Sequence, residues 1–313
     1  MVRIAEILGR PVPFFIDPYV IADKGAFSCR ASPHSRDVGA FEQKARKLIS
    51  ADHRFRRLLG EPGTRFGNQL KGITRRTPPA AAADAGDRTA SSLGLGDTPA
   101  LELPGASEQQ LRVSILFVDA PESIAGAACH LPDGDYVLVN RNEGSFRRNF
   151  DLGHELFHLL TWAEMPPAGI DPVLQGERRP KVEKLADSFS SGLLMPLAAI
   201  RERWRTRAPG GNLHGWLAAN ARDFGVSARA LYCRLVNAGL LWKATRVDLR
   251  LLSRSDEEDG AGKPTPFSAE FARRLNAVLG RGLVSVLKAA DLLECEPHDL
   301  KGTVSAYGFT PSF

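Results

Sequence analysis

Residues 146–162 read FRRNFDLGHELFHLLTW, and within them His154-Glu155-Leu156-Phe157-His158 sets two imidazoles four residues apart with a glutamate beside the first. Phe150, Leu152, Phe157, Leu159 and Leu160 make the segment strongly apolar. Ser145 is a reasonable N-cap, so the stretch reads as one helix from about Ser145 to about Trp162. Residues four apart on a helix stand about 40° apart in azimuth and about 6 Å apart along the axis. Two imidazoles so placed can reach one zinc ion at about 2 Å. Glu155 then sits beside the ion, where it can hydrogen-bond a water rather than ligate the metal. Polar groups on so apolar a helix need partners, because burying them unpaired is costly. One metal ion satisfies all three.

A catalytic zinc site wants three protein ligands and one open position. Downstream, MPPAGIDPVLQGERRP (165–180) reads as a loop from its prolines. KVEKLADSFSSGLLM (181–195) reads as a second helix that stops before Pro196, which itself can open a third, PLAAIRERWR (196–205). Glu183 and Asp187 fall on one face of the second helix. Glu183 can ligate. Asp187 can accept a hydrogen bond from the far nitrogen of a ligand histidine and so fix its tautomer. His130 and Glu164 compete for the third ligand position.

Upstream, LRVSILFV (111–118), IAGAACHL (124–131) and DYVLVN (135–140) read as strands, the last two joined as a hairpin by Pro132-Asp133-Gly134. Strands followed by helices predict an α+β fold, with a small mixed or antiparallel sheet packed on the two helices that carry the ligands. The flanks divide by texture. Residues 1–76 read as a basic helical region, with Ile4, Ile7 and Leu8, then Phe41, Ala45, Leu48 and Ile49, then Phe55, Leu58 and Leu59 at helical spacing. Residues 77–110 are rich in Ala, Gly, Pro, Ser and Thr without a large apolar period, and read as a linker. The core is expected over 111–205. A helix-turn-helix-like unit over 206–247 turns at Gly225-Val226-Ser227, with Arg222, Arg229 and Arg234 available to phosphate and Cys233 buried and inert. A second linker (248–266) precedes a helical segment over 267–313.

The chain has 313 residues, 43% apolar and 25% charged, enough for a real core. No apolar run approaches the roughly 18 residues of a membrane span, and no secretory h-region opens the sequence. The four cysteines stand singly, so neither a disulfide framework nor a cysteine zinc site is indicated. A cytoplasmic protein with free thiols and no membrane partner is expected. Residues 1–76 hold 15 Lys/Arg against 7 Asp/Glu, while the rest holds 26 against 29. That excess fits an acidic partner or weak nucleic-acid contact through the N-terminal region, and the 213–241 segment offers a second such contact.

FRRNFDLGHELFHLL followed by VEKLADSFSSGLLMP resembles the ImmA/IrrE-type metallo-endopeptidases of phage, mobile elements and bacterial stress responses. Their pattern runs roughly RxxFTLAHELGHLL, then ExxxNxFAxxLLMP. The chain matches it at Phe150, Leu152, His154, Glu155, Leu156, His158, Leu159 and Leu160, and again at Glu183, Phe189 and Leu193 to Pro196. It departs at Asp151 (usually Thr), Phe157 (often Gly) and Asp187 (usually Asn). IAEILGRPVPFF (4–15) resembles the tail of an XRE-type helix-turn-helix domain of the kind fused to this family. The recognition helix itself is not in the sequence, so base readout by residues 1–76 is not expected.

The resemblance implies a zincin-like core, with Zn2+ held by His154, His158 and Glu183, and Glu155 as general base. It implies metal-assisted hydrolysis of a protein substrate, an XRE-type repressor whose cleavage derepresses mobile-element or stress-response genes. In zincin-like folds a strand before the catalytic helix pairs with the extended substrate. Tyr136, Val137, Leu138, Val139 and Asn140 are expected to be that edge strand, with Tyr136 or His130 as oxyanion stabiliser. The alternative is a DNA-binding regulator whose metal site is structural or sensory. Four protein ligands would favour the regulator, and three with an open position favour hydrolysis.

Overall fold

The apolar helix around the paired histidines forms, with Gly144 rather than Ser145 at its N-cap. In the computed structural model, which describes residues 3, 26–31, 38–61, 70–131, 134–166, 170–172, 180–208, 210–245, 247–248, 250–252 and 262–313, it runs Ser145–Leu160. In chain order the described elements are β1 (Ala26–Ala31), α1 (Val38–Leu59), α2 (Pro79–Ser92), α3 (Leu103–Gln109), β2 (Val113–Val118), β3 (Ile124–Leu131), β4 (Gly134–Asn140), α4 (Ser145–Leu160), β5 (Ile170–Pro172), α5 (Lys181–Leu194), α6 (Leu197–Arg205), α7 (Leu213–Phe224), α8 (Ala228–Asn237), α9 (Ala269–Gly280), α10 (Val286–Leu293) and α11 (Asp299–Ala306). They divide into two units, one gathering α1 with α9, α10 and α11, the other holding the rest. The fold is α+β, and no described helix is long and apolar enough to cross a membrane.

The larger unit is built on a five-stranded mixed sheet in the order β2-β4-β3-β1-β5. β2 runs parallel to β4, β4 antiparallel to β3, and β3 antiparallel to β1. Helix α4 packs on β3 and β4. The order corrects one expectation. Residues 136–140 are not an edge: β4 is paired on both sides and buried along its whole length. A strand so placed has no free amides or carbonyls for a substrate. Residues 1–76 are not all helical either, since β1 is a strand, and the 4–15 segment lies outside the described residues. A strand pairing set by partners nearly a hundred residues away leaves no local helical or strand signature.

The stretch read as a linker, 77–110, folds as α2 and α3. Its small residues are what let α2 press against α5. A Cβ on Gly192 would lie 1.9 Å from the Ala83 carbonyl oxygen, and one on Gly86 would lie 2.1 Å from that of Phe189. The two backbones touch, so neither position tolerates a side chain. Gly192→Ala is expected to destabilise the larger unit by about 1–3 kcal/mol through overpacking, despite a helix-propensity gain of about 1 kcal/mol. A thermal melt at or above that of wild type would contradict this contact.

The 206–247 segment does form two helices around the expected turn. Gly225 ends α7 at φ 64°, and Ser227 caps α8 by accepting from the Ala230 amide at 3.1 Å. It is no separate module, because Leu217, Phe224, Leu231 and Leu235 join the same apolar core as Leu156 and Phe189. Arg234 is buried and its Nε donates to the Met195 carbonyl, so it cannot meet phosphate. Cys233, expected inside, is exposed. In the second linker, residues 262–266 are tied down: Arg141 Nε donates to the Pro264 carbonyl, and Lys263 pairs with Asp119.

In the smaller unit, α1 and α9 meet through Phe55 and Phe271, with ring centroids 5.8 Å apart. Beside them Asp52 lies fully buried between Arg56 and Arg274.

Candidate metal centre

Helices α4 and α5 bring the predicted ligands together because they can pack closely. A Cβ on Gly153 would lie 2.6 Å from the Ser190 hydroxyl, which donates to the Phe150 carbonyl at 2.8 Å. Beyond this contact His154 and His158, one and five residues past Gly153 on α4, face Glu183, seven residues before Ser190 on α5. His154 Nε2 lies 3.1 Å from His158 Nε2 and 3.2 Å from Glu183 Oε2, and His158 Nε2 lies 3.2 Å from Glu183 Oε1. Relative exposures are 0%, 2% and 2% in that order, so the three donors face one another away from solvent.

These spacings fit a metal. Four ligands arranged tetrahedrally at 2.0–2.1 Å stand about 3.3 Å from one another. The hydrogen bonding also fits. His154 Nδ1 lies 2.9 Å from Asp187 Oδ1. An ionised carboxylate only accepts, so Nδ1 carries the proton and Nε2 presents its lone pair to the other donors. His158 Nδ1 is buried with no hydrogen-bond partner. Burial pushes the Glu183 carboxyl up, but the facing His154 and His158 rings outweigh it and hold the group well below the usual carboxylate range. Two imidazoles and an ionised carboxylate converging on one point form a cation-binding set. Among the described residues no fourth His, Cys, Asp or Glu joins it.

Glu155 stands on the sheet side of α4, and it is 1% exposed. A Cβ on Gly126 of β3 would lie 3.5 Å from Glu155 Cγ and 3.9 Å from Oε1. Gly126 is therefore a site residue that the motif reading missed. Its signal was present, since an isolated glycine within a strand marks a close approach.

The other expected residues fall elsewhere. His130 is not in the metal set: its Nδ1 lies 2.6 Å from Asp135 Oδ1, and its ring sits 5.4 Å from that of Trp162. Glu164 is exposed. Tyr136 cannot be an oxyanion stabiliser. Val137 and Val139 face the core that contains Leu152 and Leu156, and strand alternation turns Tyr136 to the opposite face of the sheet.

A helix carrying HExxH, met by a glutamate from the next helix on a small mixed sheet, defines a metallopeptidase-type centre. Residues 109–236 match the M78 peptidase family, described as the IrrE N-terminal-like domain, and this chain carries a domain of that ImmA/IrrE-type family there. Its partner is accordingly a protein substrate. A comparison with curated proteins finds no match.

Proposed function

We propose that the chain is a zinc-dependent endopeptidase that hydrolyses a peptide bond in an XRE-type repressor and so derepresses mobile-element or stress-response genes. The observation that carries the reading is the tetrahedral spacing of three buried donors, with one further carboxylate, Glu155, beside them and outside the set. In this reading His154, His158 and Glu183 hold the zinc, and Asp187 keeps His154 in the tautomer that ligates. Bound zinc supplies Lewis acidity, bringing the pKa of a water near 7 and polarising the scissile carbonyl. Glu155 takes the proton of the attacking water on its carboxylate and delivers it to the leaving amine. His130, its ring set by Asp135 and Trp162, is assigned to hydrogen-bonding the carbonyl oxygen as charge develops there.

The repressor as substrate rests on the family resemblance, and the cytoplasm as compartment on the singly placed cysteines. The test is co-expression with an XRE-type repressor encoded beside this gene, read by intact mass. Wild type is expected to give two fragments whose masses add to the repressor plus one water. Glu155→Gln is expected to leave the repressor whole while still binding one zinc per chain. Wild-type cleavage by that variant would remove Glu155 from the reaction.

A further inference from the structure

β3 is the strand that passes Glu155, with Gly126 at the point of contact. β4 occupies one of its edges, from Gly126 opposite Val139 to Leu131 opposite Gly134. A peptide lying extended across the candidate site would pair with the other edge. That edge is filled. β1 runs antiparallel along all of it, from Ala26 opposite His130 to Ala31 opposite Ile124, with Arg30 opposite Gly126. The ladder shifts register between Arg30 and Ala31, level with Glu155. Glu155 and the three metal donors are each at most 2% exposed, which leaves no approach for a peptide carbonyl. β1 also lies outside the stretch that matches the peptidase domain, residues 109–236. On its far side, among the described residues, it pairs with the three residues of β5, one of them Pro172, which has no amide to donate.

We propose that the outer edge of β3 is the docking edge for an extended antiparallel peptide, and that β1 is its resident occupant, an internal strand that must leave before substrate enters. Pairing at a sheet edge is made largely by main-chain groups, so one strand can replace another. The inhibitory meaning rests on the peptidase reading, but the displacement itself can be tested without catalysis.

Ala127→Cys in the full chain places a thiol opposite Cys29 in the ladder. Paired positions stand about 4.5–5.5 Å apart between Cα atoms, within disulfide range. Oxidation then ties β1 to β3, and reduction frees it. The probe is a fluorescent synthetic peptide spanning residues 24–33 with Cys29→Ser, its binding read by anisotropy. The oxidised chain is expected to bind it at least about tenfold more weakly than the same chain reduced. Arg30→Pro, which removes a donor from β1, is expected to bind it more tightly than wild type. Equal binding by oxidised and reduced chains overturns the proposal, as does Arg30→Pro binding no better than wild type. If the disulfide governs peptide binding while no form cleaves the repressor, the occupant stands and the peptidase reading fails. If oxidised and reduced chains cleave equally, the reading stands and the occupant fails.

Discussion

Glu183→Gln is expected to yield a folded chain that purifies without stoichiometric metal. Glutamine keeps the volume of the side chain, so packing beside His154 and His158 is retained, but it removes the negative charge and the better ligand atom. Affinity for zinc should fall by more than about 100-fold, since even removing a partner hydrogen-bonded to a ligand costs about 10–100-fold. Asp187→Ala tests that smaller effect, because Asp187 touches only the far nitrogen of His154. Metal content by mass spectrometry should therefore rank wild type above Asp187→Ala above Glu183→Gln. A stability readout gives an independent measure. Zinc at about 100 times its dissociation constant stabilises a folded binder by about 2.7 kcal/mol, so the wild-type melt should shift upward on adding zinc and the Glu183→Gln melt should not. One zinc per chain in Glu183→Gln, with an undiminished thermal shift, would place the metal elsewhere.

The centre was legible because it is local. His154 and His158 are one turn apart on one helix, as are Glu183 and Asp187 on the next, and helical periodicity states each pair without knowledge of the fold. That the two pairs meet was carried by the family pattern, and the structure supplies the reason in the small Gly153 and Ser190 contact between α4 and α5. The misreadings concern partners distant in sequence. β4 reads equally well as an edge or an interior strand, since sheet order is set by which strands pair and not by composition. β1 gives no strand signal apart from the β3 edge it binds. The stretch 79–92 lacks large apolar residues because Gly86 and Ala83 lie against the backbone of α5, where larger ones would not fit. A linker and a tightly packed helix can share that composition. The smaller unit shows the same limit: α1 and α9 belong together, yet lie more than two hundred residues apart.

That pairing makes Asp52 the position outside the metal centre where one substitution should cost most. The carboxylate is fully buried, 2.9 Å from Arg56 Nε on its own helix and 2.8 Å from Arg274 Nε on α9. Arg274 is itself 2% exposed, and its Nη2 is buried with no hydrogen-bond partner. Asp52→Ala would leave two guanidinium groups in a dry site with Glu61 and Glu270 no nearer than 3.7 Å to Arg274. Breaking a buried pair from one side costs about 3–5 kcal/mol, and hydrogen exchange of the α1 and α9 amides should report it. The pH dependence follows from the same contacts. Burial pushes the Asp52 carboxyl up, but the charges of Arg274 and Arg56 outweigh it and hold it below the usual range. A group depressed in the folded state adds stability that is complete above its unfolded pKa of about 3.9 and is lost as pH falls through the folded value. Wild type should therefore show an acid-sensitive component below about pH 4 that Asp52→Ala lacks, with no difference in slope between pH 5 and 8. Replacing all three groups together, Asp52→Leu with Arg56→Met and Arg274→Met, should recover most of the loss, because the cost lies in the stranded charges and not in the removed pair. If the triple variant were no more stable than Asp52→Ala, lost packing would be the cause, and the ion pairs would not be what joins these two ends of the chain.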